Sequence, residues 1–380
     1  MPNSTTIEPP ESQGLGCIAV VHNSVLADAD EDGEPPSLAA DAECAETAEA
    51  IARALERAGA EVVRLSVGSS IEPVLTELRT RGVDRVFNLV EAVGGVAARE
   101  AEFTDALERM GIPYTGNGSM ILRAAFHKHV ARRVLTACNI PIAAGLEVYD
   151  ASEVPALLPG EIPGVPDSGR PWFVKPSRAD GSIGIDQGSL CRTVEAARER
   201  VSWLIRSMGA PILLEEYLPG AEINVALLPV DDLLVGVATA IDFSAYEPGL
   251  VPVVTYNCKW VPGTPDYNAR SVPALDIVPR AQVEEAVRIG RAAFLALGGT
   301  GYGRVDLRCD ESGRPRVIDV NPNPDLAPDA GLAIAAASIR VDWDTLIVFV
   351  ATGATLKEQH VRSTHHLGRP RATRSATRAD

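Results

Sequence analysis

The chain has 380 residues, 46% hydrophobic and 23% charged, which excludes a disordered protein and leaves room for several domains. Its formal net charge of −16 excludes DNA and RNA as partners, because phosphate backbones select basic surfaces. A nucleotide held locally by a few cations and backbone N–H groups is still allowed.

Six cysteines (17, 44, 138, 191, 258 and 309) are scattered without a C-x-x-C pair, the pattern of reduced thiols with no zinc site. Met1 to Gln13 is polar and lacks the apolar core of a signal peptide. No apolar run reaches membrane-spanning length, the nearest, Leu227 to Ile241, being broken by Asp231 and Asp232. A soluble, cytoplasmic protein is expected.

In chain order, residues 16–22 form a continuous apolar run, as a buried parallel strand does. An acidic loop (28–36) precedes a helical pattern over 42–58 that ends at Gly59. Residues 61–65 predict a strand, 73–81 a helix and 85–90 a strand, so the order βαβαβ calls for a parallel sheet covered by helices. No G-x-G-x-x-G follows the first strand, which leaves a dinucleotide fold unsupported. Helices are predicted over 98–110 and 124–138, with a short strand and turn at 111–116. A strand at 172–176 stops at Pro176; a helix (193–208), a strand (212–217) and a β-rich stretch to Leu250 follow. A Pro/Gly-rich loop (261–272) leads to an amphipathic helix (280–297), a hairpin (304–321) and a last helix (341–351). Residues 357–380 are basic and nearly free of large apolar groups, the composition of a disordered tail.

The hairpin carries the most chemistry. Period two puts Arg304 and Asp306 on one face of its first strand, and Asp319 and Asn321 on one face of its second. Pairing gathers two carboxylates, an amide oxygen and a guanidinium. Hard oxygen ligands of this kind suit Mg²⁺ bridged to substrate phosphates. Upstream, Lys175 ends a strand before the loop Gly181, Ser182, Ile183, Gly184, whose backbone N–H groups and hydroxyl can approach phosphate oxygens. Glu215, Glu216, Tyr217 and Leu218, with Glu222 after them, end another strand in a turn.

Taken together these segments resemble the ATP-grasp superfamily, and within it the D-alanine–D-alanine ligase family. The resemblance runs from Val86 to Ala333 and includes Phe87-Asn88-Leu89-Val90-Glu91, the segment 111–116, and Tyr256 with Lys259 three residues on. It implies an α/β protein: an N-terminal parallel α/β domain (1–123), a central ATP-grasp subdomain with the phosphate loop (124–210), a C-terminal subdomain with the metal hairpin (211–356), and the tail. It further implies ATP and two Mg²⁺ ions as cofactors, with Mn²⁺ able to substitute. Arg132, where the family usually has lysine, and Lys175 would hold the α/β-phosphates. Glu215, Glu216, Tyr217 and Leu218 would frame adenine, and Glu222 the ribose. Lys259 would reach the transferred phosphate, and Ser182 would assist from the loop. Asp306, Asp319 (for the family's glutamate) and Asn321 would bind metal. Arg304 would stabilise the acyl phosphate and the tetrahedral intermediate.

The family's early glutamate, which holds the first substrate's ammonium, has no counterpart beside His22-Asn23-Ser24. After Asn321, Asp325 stands where the family has glycine, and Ala330 where it has the serine that binds the second substrate's carboxylate. The expectation is therefore an ADP-forming carboxylate–amine ligase working through an acyl phosphate on amino acids or small peptides in specialised metabolism. The alternatives are D-alanine–D-alanine ligation for cell-wall synthesis and, in another class, a non-catalytic nucleotide-binding regulator. Partners would be small-molecule carboxylates and amines, with homodimerisation left open and neither nucleic acid nor membrane involved.

Overall fold

The computed structural model describes residues 15–24, 38–157, 171–230 and 233–352. The acidic loop 28–36 and the basic stretch 357–380 lie outside the described residues.

The first apolar run forms β1 (Cys17–Asn23), followed by α1 (Leu38–Arg57), β2 (Glu61–Val67), α2 (Glu72–Arg81) and β3 (Arg85–Leu89). The three strands pair in parallel in the order β2-β1-β3, as the βαβαβ pattern requires. A sheet of this kind buries both faces. Phe103 and Leu107 of α3 (Glu100–Met110) and Leu78 of α2 cover one face. Ile51 and Leu55 of α1 cover the other.

Residues 111–116 contribute only a single bridge, between Val86 and Tyr114. The helix predicted over 124–138 is two helices, α4 (Ser119–Phe126) and α5 (Lys128–Ala137). The break falls at His127, whose φ of −86° and ψ of 80° are not helical. Its cause is tertiary: the Lys128 amide donates to the Ser177 carbonyl (3.0 Å).

A four-stranded antiparallel sheet follows, built from β4 (Gly145–Val148), β5 (Trp172–Pro176), β6 (Leu190–Cys191) and, after α6 (Val194–Met208), β7 (Ile212–Glu216). Its order is β4-β7-β5-β6, and α6 packs against it through Val201 and Leu204. Next come β8 (Glu222–Val230), β9 (Leu233–Asp242), α7 (Tyr256–Trp260), β10 (Arg270–Pro273), α8 (Arg280–Ala296), β11 (Gly303–Cys309) and β12 (Pro315–Asn321). Their strands form a five-stranded antiparallel sheet, β10-β9-β8-β11-β12, backed by Val283, Val287 and Phe294 of α8. The chain closes with α9 (Gly331–Ser338), which packs on the five-stranded sheet, and α10 (Trp343–Thr352), which packs on α1 and so joins the last segment to the first. No helix of the described residues is long and apolar enough to cross a membrane.

Candidate active site

A cleft of about 250 Å³ opens between the four-stranded and five-stranded sheets. One wall carries Lys175 of β5 and Glu215 of β7; the other carries Glu222 of β8, Arg304 and Asp306 of β11, and Asp319 and Asn321 of β12.

The hairpin pairs Arg304 with Asn321 and Asp306 with Asp319, so the two carboxylates face each other in register. A bulge after Asp306 leaves Ile318 extra, and its carbonyl accepts from Lys175 Nζ (2.9 Å) across the cleft. Arg304 grips Asp306 with two bonds, Nε to Oδ1 (2.7 Å) and Nη2 to Oδ2 (2.9 Å), and Asn224 Nδ2 donates to the same Oδ1 (2.8 Å). Burial alone would raise the Asp306 carboxyl, but the Arg304 cation outweighs it and holds Asp306 below the usual carboxylate range. Burial dominates at Asp319 and pushes its carboxyl up, Lys128 opposing and Asp180 adding to the rise.

Among the described residues no three His, Cys, Asp or Glu side chains converge as a closed metal cage. Two opposed carboxylates and one amide oxygen fit a hard divalent ion that takes its other ligands from phosphate and water. The donor set therefore suits Mg²⁺.

The cations divide differently from the sequence expectation. Lys128, the first residue of α5, reaches Asp180 (3.0 Å) and Asp319 (3.1 Å) and lines the cleft. Desolvation would discharge its ammonium, but those two carboxylates raise it well above the usual lysine value. Arg132, one turn further along α5, lies beside a narrow side pocket and pairs with Glu215. Glu215 also binds Lys175 (2.8 Å), so its carboxylate sits between two cations. Burial would raise it, yet Lys175 and Arg132 hold it lower than an ordinary carboxyl. Sequence reasoning missed Lys128; the signal would have been a cation at a helix start facing a loop acid.

The turn after β7 is set by Arg308, which donates to Leu218 O (2.6 Å), Glu222 Oε2 (2.9 Å) and Tyr217 OH (3.3 Å). Leu218, Tyr217 and Glu222 thus line one end of the cleft, and Glu216 Oε1 accepts from the Ala144 amide (3.1 Å). Burial pushes the Glu222 carboxyl up, Arg308 opposing.

The glycine loop is clasped shut. Gly181 and Ser182 have φ of 61° and 62°, and Gly184 has 73°, turning the backbone sharply toward the cleft. For Ser182 this left-handed conformation is a local strain held by its surroundings. Its Oγ donates to Val254 O (3.0 Å), the Tyr256 amide to Ile185 O (2.9 Å), and Trp260 Nε1 to Gly181 O (2.8 Å). The cover is therefore the segment 254–260, just before the Pro/Gly-rich stretch. It carries Lys259 inward, where burial and Arg304 lower its ammonium against the pull of Asp306, Asp319 and Glu222.

Two antiparallel sheets gripping a cleft between a glycine loop and an acidic hairpin define an ATP-grasp fold. The family model for the D-ala D-ala ligase C-terminus matches residues 165–350. The D-alanine–D-alanine ligase of Haemophilus influenzae (strain PittEE) is 27% identical over 274 residues, 72% of this chain and 84% of the relative. That of Granulibacter bethesdensis is 29% identical over 316 residues, 81% of this chain and 91% of the relative. The D-alanine–D-alanine ligase of Bacillus anthracis complexed with ATP superposes with a TM-score of 0.64 at 16% identity, covering 89% of this chain and 97% of that one. D-alanyl-alanine synthetase A of Vibrio cholerae gives 0.64 at 15% identity, over 89% and 98%.

Residues 165–350 thus match the D-alanine–D-alanine ligase C-terminal family, and most of the chain is similar to these ADP-forming ligases.

Proposed function

We propose that this ATP-dependent carboxylate–amine ligase joins two amino acids, and that D-alanine is the substrate favoured by its relatives. The observation that carries the reading is the register of the hairpin, which sets Asp306 opposite Asp319 and Arg304 opposite Asn321 across the cleft from two lysines. Specialised metabolism, the first expectation from the sequence, has no support among the relatives, and a non-catalytic role is set aside with the ligase assignment.

In this reading Lys175 and Lys128 neutralise the polyphosphate, while Leu218 and Glu222 seat the base and ribose. Two Mg²⁺ ions held by Asp306, Asp319 and Asn321 would neutralise the transferred phosphoryl group. The substrate carboxylate oxygen attacks the terminal phosphorus and ADP leaves, a transfer that needs positioning more than covalent help. The amine of the second substrate then attacks the acyl carbon, loses its proton, and phosphate departs. Arg304 stabilises the oxyanion, a contribution of about 3 kcal/mol for a well-placed donor. The Trp260–Gly181 clasp keeps water from the acyl phosphate.

The altered 325–330 segment also looks less hostile to a carboxylate acceptor than its composition suggests. Asp325 Oδ1 accepts from the Ala327 amide (2.8 Å), so the carboxylate caps its own turn. Ala330 caps α9 without a side-chain bond, but Ser271 Oγ lies 3.8 Å from where a Cβ on Gly331 would stand. That hydroxyl is buried and makes no hydrogen bond, and both Ser271 and Gly331 line the cleft. An acceptor carboxylate can use Ser271 together with the free N–H groups at the start of α9. Ser271→Ala is expected to raise the acceptor KM about tenfold, the loss of one hydrogen bond to a charged group, with the ATP KM unchanged. An unchanged acceptor KM would remove Ser271 from the site.

A second reading, an acceptor bearing extra positive charge, is favoured by one feature. Glu43 of α1 lies near enough to Asp325 and Asp329 for both to add to the upward shift that burial gives its carboxyl. Incubation with ATP, Mg²⁺ and D-alanine, against a panel of other amino-acid pairs, separates the two. D-alanyl–D-alanine with ADP and phosphate supports the first; product only from cationic acceptors supports the second. Release of AMP and pyrophosphate would defeat both.

A further inference from the structure

Two asparagine side chains tie the ends of the β11–β12 hairpin to the N-terminal domain. Asn117, only 3% exposed, sits in the loop between Gly116 and Gly118. Its Nδ2 donates to Tyr302 O (2.7 Å) and to Pro322 O (2.7 Å). Its Oδ1 accepts from the amides of Thr300 (3.0 Å) and Gly301 (3.0 Å). All four hydrogen-bonding positions of the amide are used. The backbones abut closely here, for a Cβ on Gly301 would stand 2.3 Å from Gly116 O. Tyr302 lies two residues before Arg304, and Pro322 directly after Asn321, so one side chain pins the entry and the exit of the hairpin.

Asn323 makes the second tie. Its Nδ2 donates to Val90 O (3.2 Å) and Glu100 Oε1 (2.9 Å), both in the N-terminal domain. Its backbone amide donates to Asn321 Oδ1 (2.9 Å). That bond fixes which end of the Asn321 amide is oxygen and leaves the second lone pair free to bind a cation.

We propose that Asn117, with Asn323 beside it, is a positioning residue for phosphoryl transfer, holding Arg304 and Asn321 in mutual register by pinning the residues next to both. The proposal rests on the metal-hairpin reading above. It makes the seating of the N-terminal domain a determinant of metal-site geometry. Only an amide serves at position 117: a carboxylate would set acceptors against two carbonyls, and a serine supplies one donor where two are needed. A shift of about 1 Å in a positioned group costs on the order of a hundredfold in rate.

The test compares Asn117→Asp, Asn323→Ala and Leu78→Ala by Mg²⁺-dependent phosphate release and thermal melting. Leu78 is fully buried in the α2–α3 core, away from the cleft, and its truncation reports general destabilisation. The Mg²⁺ concentration for half-maximal rate should rise about tenfold, as for lost support of a metal ligand, in both asparagine variants. The nucleotide KM at saturating Mg²⁺ should stay put, and Leu78→Ala should lower the melting temperature alone. An unchanged Mg²⁺ requirement in either folded asparagine variant, or an equal rise in Leu78→Ala, overturns the proposal. If Asn117→Asp does not fold, Asn323→Ala decides. Asp319→Asn run in parallel separates the failures: full activity there defeats the metal-hairpin reading itself, whereas an inactive Asp319→Asn beside normal asparagine variants defeats only the positioning role.

Discussion

Asp319→Asn should reduce phosphate release by at least about a hundredfold, the scale of losing one group that stabilises transition-state charge, while the protein stays folded. The amide keeps the shape of the carboxylate and its bond from the Val320 amide (3.1 Å). It removes the charge that faces Asp306 across the hairpin and receives Lys128 at 3.1 Å. Lys128 retains Asp180 (3.0 Å), so the substitution leaves no buried cation unpaired. The fold therefore has little reason to suffer, and the loss should fall on kcat. A melting curve within a few degrees of the parent, beside a steady-state assay over a Mg²⁺ series, checks both halves. Near-normal turnover from folded Asp319→Asn would sink the metal assignment, and raised Mg²⁺ restoring the full rate would reduce Asp319 to an affinity contact.

The hairpin was legible in the sequence because its signal is local. Alternation on two short strands and a turn at Ser312-Gly313 suffice to place Arg304, Asp306, Asp319 and Asn321 on one face, and the structure pairs them so. The parallel sheet was legible too, from the apolar run of β1 and the alternation of strand and helix patterns after it. Lys128 was not, since His127-Lys128-His129 sits inside what reads as one helix, and only the bond to Ser177 breaks it there. The pairing of Arg132 on α5 with Glu215 on β7 joins residues 83 apart in the chain, which no local pattern reports. Short α9 was missed because Gly331–Ser338 is apolar all round and shows no period. Asn117 carries no local signal between its two glycines, and its reach to residues 300–322 is purely tertiary.

Glu215→Ala should be the most destabilising substitution in the cleft. The carboxylate is 3% exposed and pairs with Arg132 and with Lys175 (2.8 Å), itself 5% exposed. Removing it leaves the buried Lys175 and the half-buried Arg132 without their counter-ion, a situation that costs about 3–5 kcal/mol when one partner of a buried pair is lost. Glu215→Gln keeps the shape and should cost less, since the amide oxygen can still accept from one cation. If Arg132 serves Glu215, Arg132→Met combined with Glu215→Gln should be less damaging than the sum of the two singles, a coupling that a double-mutant cycle measures. If Arg132 serves the phosphates, the two effects should add, and the ATP KM should rise in Arg132→Met alone. The pH dependence has a definite sign. Lys175 and Arg132 depress the carboxyl of Glu215 in the folded state against the effect of burial. Its stabilisation is therefore complete above the unfolded value near ~4.3 and is lost as pH falls through the lower folded value. Denaturant melts from pH 7 down to pH 3 should show a constant gap between the parent and Glu215→Gln above about pH 5, closing on acidification. A gap that widens as the pH drops would mean that Glu215 is held protonated, and the cation–carboxylate–cation arrangement would be wrong.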